Sequence, residues 1–185
     1  MRERSKETLG LAGSLLLAHP AMRDPNFRRT VVLLSAHGGD GAMGLVLNRP
    51  MSKQLGQLNA EFAASLLAGV PVYQGGPVQT DQLILAAWQA DPLGDGFKLH
   101  FGLDVEKAEA LQTEAGVQLR AFLGYSGWMK GQLENELKQN TWVVTPVNTG
   151  LVEREEGPEL WRTILSSLSP EWKLMANEPD DPAIN

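Results

Sequence analysis

The chain has 185 residues, of which 43% are hydrophobic and 21% charged, and its formal net charge is −6. That size and balance fit one globular domain with a substantial core, and the acidic balance argues against general nucleic-acid binding, which draws on Lys and Arg to neutralise phosphates. There are no cysteines, so disulfides, thiolate catalysis and cysteine-ligated metal are excluded.

In chain order, the charged N-terminus leads into "LAGSLLLA", an apolar stretch too short for a secretory signal, and no run approaches the ~20 apolar residues of a membrane span. A soluble, cytoplasmic protein that does not enter membranes is expected. The first strand is predicted over 13–20, "GSLLLAHP". Pro25 and Asn26 then form a turn before "RTVVLLSA" (29–36), whose unbroken apolar run reads as a buried strand. "HGGDGA" is a glycine-rich turn, and "MGLVLNRP" (43–50) returns as the second arm of an antiparallel hairpin. Ser52 is placed to cap a helix carrying Leu55, Leu58, Phe62 and Leu66 on one face, ended by Gly69 and Pro71. Short strands follow in "PVYQGGPV" and "DQLILAAWQ", then a turn in "DPLGDG" and a strand in "FKLHFGL" with period-two alternation.

Asp104 is a good N-cap for the helix "VEKAEALQTEA", with Gly116 just past its end. "VQLRAFLGYSG" reads as a strand. "KGQLENELKQN" reads as a short helix with Leu133 and Leu137 inward, and "TWVVTPVN" as the last strand. "PELWRTILSSL" is a helix with Pro158 in its first turn and a stripe of Leu160, Trp161, Ile164, Leu165 and Leu168. The whole is expected to be one domain over 1–185, with 1–10 and 177–185 as mobile ends. Strands and helices do not alternate regularly, which predicts an α+β fold with a mostly antiparallel or mixed, barrel-like sheet flanked by α-helices.

Several motifs point to chemistry that their context denies. Gly39 to Gly44 matches G-x-G-x-x-G, but a strand follows where a dinucleotide site needs a helix. "GYSGW" carries Trp128 where the nucleophile elbow needs glycine, and no histidine follows His100. Three scattered histidines lack metal-ligand spacing. Neither a cofactor nor a metal is implied, and no catalytic residue is assigned. Glu134 and Glu136 point in different directions on one helix, which favours a structural ion pair of Glu134 with an arginine over acid–base work. The basic residues Arg23, Arg28, Arg29, Arg49 and Lys53, all in the first third, either tie loops to Asp24, Asp81 or Glu134, or converge to bind an anion. "YQGGPVQTD" supplies a Gly-Gly turn able to expose backbone N–H groups.

Together, "GSLLLAHPAMRDPNFRRTVVLLSAHGGDGAMGLVLNRP", "VYQGGPVQTDQL", "GYSGWMKGQLENEL" and "WVV" resemble the YqgE/AlgH family of bacterial proteins, over about 13–144. The resemblance implies an α+β fold with a barrel-like sheet in a cytosolic bacterial protein, and it carries over no catalytic residue. Some family members are labelled transcriptional regulators, whereas this chain shows no DNA-reading helix.

The leading expectation is a non-enzymatic binding or regulatory module. Its polar cleft would gather Asn26, Arg29, Asn48, Arg49, Gly76 and Glu134, with Phe27 and Trp128 as apolar walls, for a small anionic ligand or a protein partner. The alternatives are an enzyme using Glu134 or Asp24 as acid–base residue, and a transcription-associated regulator.

Overall fold

A computed structural model describes residues 10–91, 93 and 96–179. What was expected of residues 1–9 and 180–185, and of 92, 94 and 95 in the "DPLGDG" turn, lies outside the described residues.

Among the described residues, nine strands form one curled, half-barrel sheet and six α-helices flank it. The strands are β1 (Leu15–Ala18), β2 (Val31–Gly38), β3 (Gly41–Val46), β4 (Pro50–Gln54), β5 (Pro71–Gln74), β6 (Val78–Ala90), β7 (Phe97–Phe101), β8 (Val117–Met129) and β9 (Trp142–Thr145). The helices are α1 (Leu55–Leu58), α2 (Val105–Gln112), α3 (Gln132–Lys138), α4 (Thr149–Arg154), α5 (Gly157–Leu168) and α6 (Pro170–Ala176). The fold is α+β and the sheet is mixed. β2 and β3 form the expected antiparallel hairpin, whereas β5 runs parallel to β8.

β8 organises the sheet. Its first half pairs with β6 on one side and with β5 on the other, and its last residues pair with β3. β3 leads on through β2 and β1 to β9.

The unbroken apolar runs have a simple cause: their strands are covered on both faces. In β1, Leu15 and Leu17 pack with Leu160, Trp161, Ile164 and Leu165 of α5, while Leu16 and Ala18 pack with Leu133 of α3, Trp128 and Trp142. β2 divides in the same way, with Val31 and Leu33 towards α5, and Val32 and Leu34 towards α3. A third cluster joins Leu55, Leu67, Val70, Val72, Leu85, Ala87 and Leu119 to Ala108 of α2.

The long helix expected after Ser52 does not form. Ser52 lies inside β4 with φ +55, and only Leu55–Leu58 is α-helical, followed by one 3-10 turn over Ala60–Phe62. Local capping breaks the helix: Asn59 is extended, and its side chain accepts the Glu61 N–H. Gly56 also packs directly on Ala68, which fixes the returning chain. The apolar period still reports a face, since Leu55, Leu58 and Phe62 reach the third cluster, but Leu66 is exposed. α4 and α6 lie in segments where no helix was predicted. Each begins at a polar cap: the Asn148 side chain accepts from Leu151 N–H, and that of Ser169 from Trp172 N–H.

Candidate functional site

The segment 24–30 is a knot of turns. Phe27 and Arg28 N–H groups donate to the Asp24 carbonyl at 3.0 and 2.8 Å, and the Asp24 side chain accepts the Asn26 N–H at 2.9 Å. Arg29 then takes φ +54, a left-handed conformation that costs a residue with a Cβ. It is held there by Asn48, a side chain only 3% exposed. Asn48 Nδ2 donates to the carbonyls of Arg29 and Gly157, and its Oδ1 accepts the Val31 N–H, all at 2.9 Å. One amide thus joins the start of β2, the end of the β2–β3 hairpin and the start of α5.

Arg49 is the next residue and reaches the other side of the knot. Its guanidinium donates to the carbonyls of Asn26 at 2.7 Å, Pro25 at 2.9 Å and Arg28 at 3.4 Å. Burial lowers its pKa, Asp24 nearby opposes that shift, and Arg28 adds to it. Arg29 stacks on the Trp161 ring, 5.4 Å from its centroid, and donates to the Glu178 carbonyl at 3.3 Å.

These contacts leave a basic cleft. Arg28, Arg29, Asn48, Arg49 and Pro158 line a cavity of about 250 Å³. Arg28 and Arg29 also border a neighbouring cavity of about 470 Å³, which adds Arg23, Met22, Trp161, Met175 and Glu178. The structure therefore brings Arg29, Asn48 and Arg49 together. Asn26 joins through its backbone carbonyl only.

Gly76, Trp128 and Glu134 are not part of this cleft. Gly75 and Gly76 thread between β3 and β8, and a Cβ on Gly76 would stand 2.2 Å from the Tyr125 carbonyl. The Gly75 N–H and carbonyl are already bonded to Leu123 and Val46. Close packing against β8 is what the Gly-Gly pair serves.

Trp128 and Trp142 are buried and the half-buried Phe27 packs on both, with ring centroids 5.6 to 6.4 Å apart. These rings are core on the α3 side of the sheet rather than walls of the cleft. Beside them, Glu136 has one buried carboxylate oxygen that no hydrogen bond of full geometry reaches, and burial raises its pKa against the opposing pull of the Trp128 and Trp142 indole N–H groups.

The expected arginine partner of Glu134 is instead His37. Their side chains meet at 2.6 Å. His37 Nδ1 accepts the Leu11 N–H at 3.0 Å, so the proton resides on Nε2 and is donated to Glu134. That bond is the main reason the Glu134 carboxyl is held below its ordinary pKa. The pair pins residue 11 to the β2–β3 hairpin. The carboxylates of the acid–base alternative, Asp24 and Glu134, are thus both bonded to elements of the fold.

One buried charge was not anticipated. Arg120, 7% exposed, lies between the rings of Tyr73 and Trp88 at 4.4 and 4.8 Å, and donates to the carbonyls of Leu47 and Val152, both at 3.1 Å. Strand parity was the available signal, because Arg120 shares a face of β8 with Phe122.

An acidic α+β protein with a half-barrel sheet and an arginine-lined cleft at a strand–turn junction is the class these observations define. The AlgH-like family model matches residues 15–173, and the chain belongs to that family. It is 40% identical to a UPF0301 protein of Streptomyces coelicolor over 97% of both chains, and 32% identical to one of Bacteroides thetaiotaomicron over 98% of this chain and 95% of that one. The solution structure of AlgH from Pseudomonas aeruginosa covers 98% of this chain and all of its own, with TM-score 0.66 and 28% identity. The crystal structure of DIP2367 from Corynebacterium diphtheriae shares the fold, with TM-score 0.70 at 20% identity over 96% of this chain and 95% of that one. No helix among the described residues is long and apolar enough to cross a membrane.

Proposed function

We propose that the protein is a non-enzymatic binding module whose arginine cleft takes a small anion bearing carboxylate or phosphate groups. The observation that carries this reading is the convergence of Arg28, Arg29 and Arg49 on one cavity of a chain with net charge −6. Guanidinium forks match carboxylate and phosphate oxygens in geometry and charge. Arg49 bonds to backbone carbonyls, so its charge is oriented by the turn without a carboxylate in contact. The adjoining cavity, with Arg23 on its wall, extends the same basic surface.

The test is a thermal-shift screen with inorganic phosphate, pyrophosphate, citrate and succinate. A ligand at a hundred times its Kd stabilises the native state by about 2.7 kcal/mol, which for a chain of this length raises Tm by roughly 5–10 °C. Arg28→Gln, at an exposed position, is expected to fold normally and to lose most of that shift. No stabilisation by any of the four anions, or an equal shift in Arg28→Gln, would remove the reading.

A further inference from the structure

A separate cavity of about 420 Å³ lies where β4, β5 and the start of α5 meet, and Ser52, Lys53, Tyr73 and Glu156 are among its lining residues. Its size falls in the range of small-molecule sites. Tyr73, only 3% exposed, is fixed from two sides. Its ring is gripped by the buried Arg120, and its hydroxyl donates to Glu156 Oε1 at 3.2 Å.

Burying a guanidinium is costly, and here two carbonyls and two ring faces offset that cost, with the Glu156 and Glu153 carboxylates adding attraction from a distance. The result is a rigid base under an open cavity. On its rim Ser52 holds φ +55, within a stretch of β4 whose pairing with β5 is irregular between Pro50 and Gln54. Strained residues of this kind concentrate at ligand clamps.

The charges on this cavity are mixed. Lys53 supplies a cation and Glu156 an anion, both on exposed residues, and among the described residues neither is in an ion pair. Pro50 and Pro71 supply apolar wall. A simple anion would meet Glu156 and a simple cation would meet Lys53, whereas a zwitterion satisfies both.

We propose that this cavity binds a free α-amino acid with an apolar side chain. The ammonium group lies on Glu156, which Tyr73 orients, the carboxylate lies on Lys53, and the side chain rests on Pro50 and Pro71. The site is independent of the arginine cleft.

The experiment is isothermal titration and two-dimensional NMR of the full chain with L-leucine, L-methionine and L-phenylalanine. N-acetyl-L-leucine, which lacks the ammonium, and L-leucinamide, which lacks the carboxylate, serve as comparators. At least one free amino acid is expected to bind saturably, with shifts at Tyr73 and Glu156, and each comparator is expected to bind at least about tenfold more weakly than L-leucine. Lys53→Met, at an exposed position, should keep the wild-type Tm. Glu156→Gln, whose amide oxygen can still accept the Tyr73 hydroxyl but which no longer attracts Arg120, should stay folded with a lower Tm. Both should lose affinity by a similar factor. Absence of saturable binding by all three amino acids, comparators binding as well as L-leucine, or affinity unchanged in both variants would overturn the proposal.

Discussion

Replacing Asn48 with alanine removes three hydrogen bonds from one buried side chain, each 2.9 Å long. At about 1 kcal/mol net per bond, the loss is ~3 kcal/mol, and leaving the Val31 N–H buried without a partner brings it towards ~4 kcal/mol. The substitution also frees the left-handed Arg29, whose carbonyl Asn48 holds. In urea, with a slope of about 2 kcal/mol/M, the unfolding midpoint should fall by roughly 1.5–2 M. Asn48→Asp is the sharper comparison. Its Oδ1 can still accept the Val31 N–H, but the second oxygen of the ionised form would face the Arg29 and Gly157 carbonyls with no proton to give. The folded-state pKa of that carboxyl is therefore raised, so the variant should be more stable at acidic pH and lose stability as pH rises through that value. A midpoint shift under about 0.5 M for Asn48→Ala, or an Asp variant without pH dependence, would refute the assignment of Asn48 as the tie between β2, the hairpin end and α5.

Gly76→Ala places a Cβ 2.2 Å from the Tyr125 carbonyl and should cost about 3 kcal/mol or more by chemical denaturation. Gly69→Ala, with nothing within 4 Å of the added atom, should stay within about 0.5 kcal/mol of wild type. Glu136 has its folded pKa raised by burial, so its contribution is fully present below the ordinary glutamate pKa and is lost as pH rises through the raised value. Glu136→Gln should accordingly gain stability at neutral pH and match wild type in acid, read from Tm against pH. Glu134 has the opposite sign: its pKa is lowered, chiefly by His37, so its stabilisation is present above the ordinary pKa and is lost as pH falls through the lowered one. In His37→Ala, NMR titration should find the Glu134 carboxyl moved up towards its ordinary value yet still held below it by its own backbone N–H bond and by Lys138, and residues 11–14 should lose amide protection.

Much of the sheet was legible because apolar runs such as "SLLLA" and "TVVLL" leave few alternatives, and both-face burial explains their lack of alternation. The helix after Ser52 was misread because Leu55, Leu58 and Phe62 keep a helical period across a break. Nothing in that period reports Asn59 capping a second turn. In the site, the convergence of Arg29, Asn48 and Arg49 could be foreseen from their places at the mouth of one hairpin. Their bonding could not, since the Arg49 guanidinium and the Asn48 amide donate to backbone carbonyls, which no side-chain pattern announces. Glu134 finding His37 is a contact across 97 positions, and no local pattern encodes such a pairing. The aromatic walls expected around the cleft went to the core instead, because Phe27 points to the α3 face while its neighbours point the other way.

The place of β8 in the sheet sets an order on biosynthesis. β3, β5 and β6 all leave the ribosome before it and all depend on it for a partner. Until residues 117–125 have emerged, β5 lacks its parallel neighbour and β6 carries a bare edge beside Ile84, Leu85 and Trp88, and β3 lacks its second neighbour until residue 129 follows. Loop closure over such separations is slow, and bare apolar edges recruit other nascent chains. The middle of the sheet therefore waits unfinished for one strand. A chain halted before Met129 should be a client of holding chaperones, and one halted just beyond it still lacks β9 along β1.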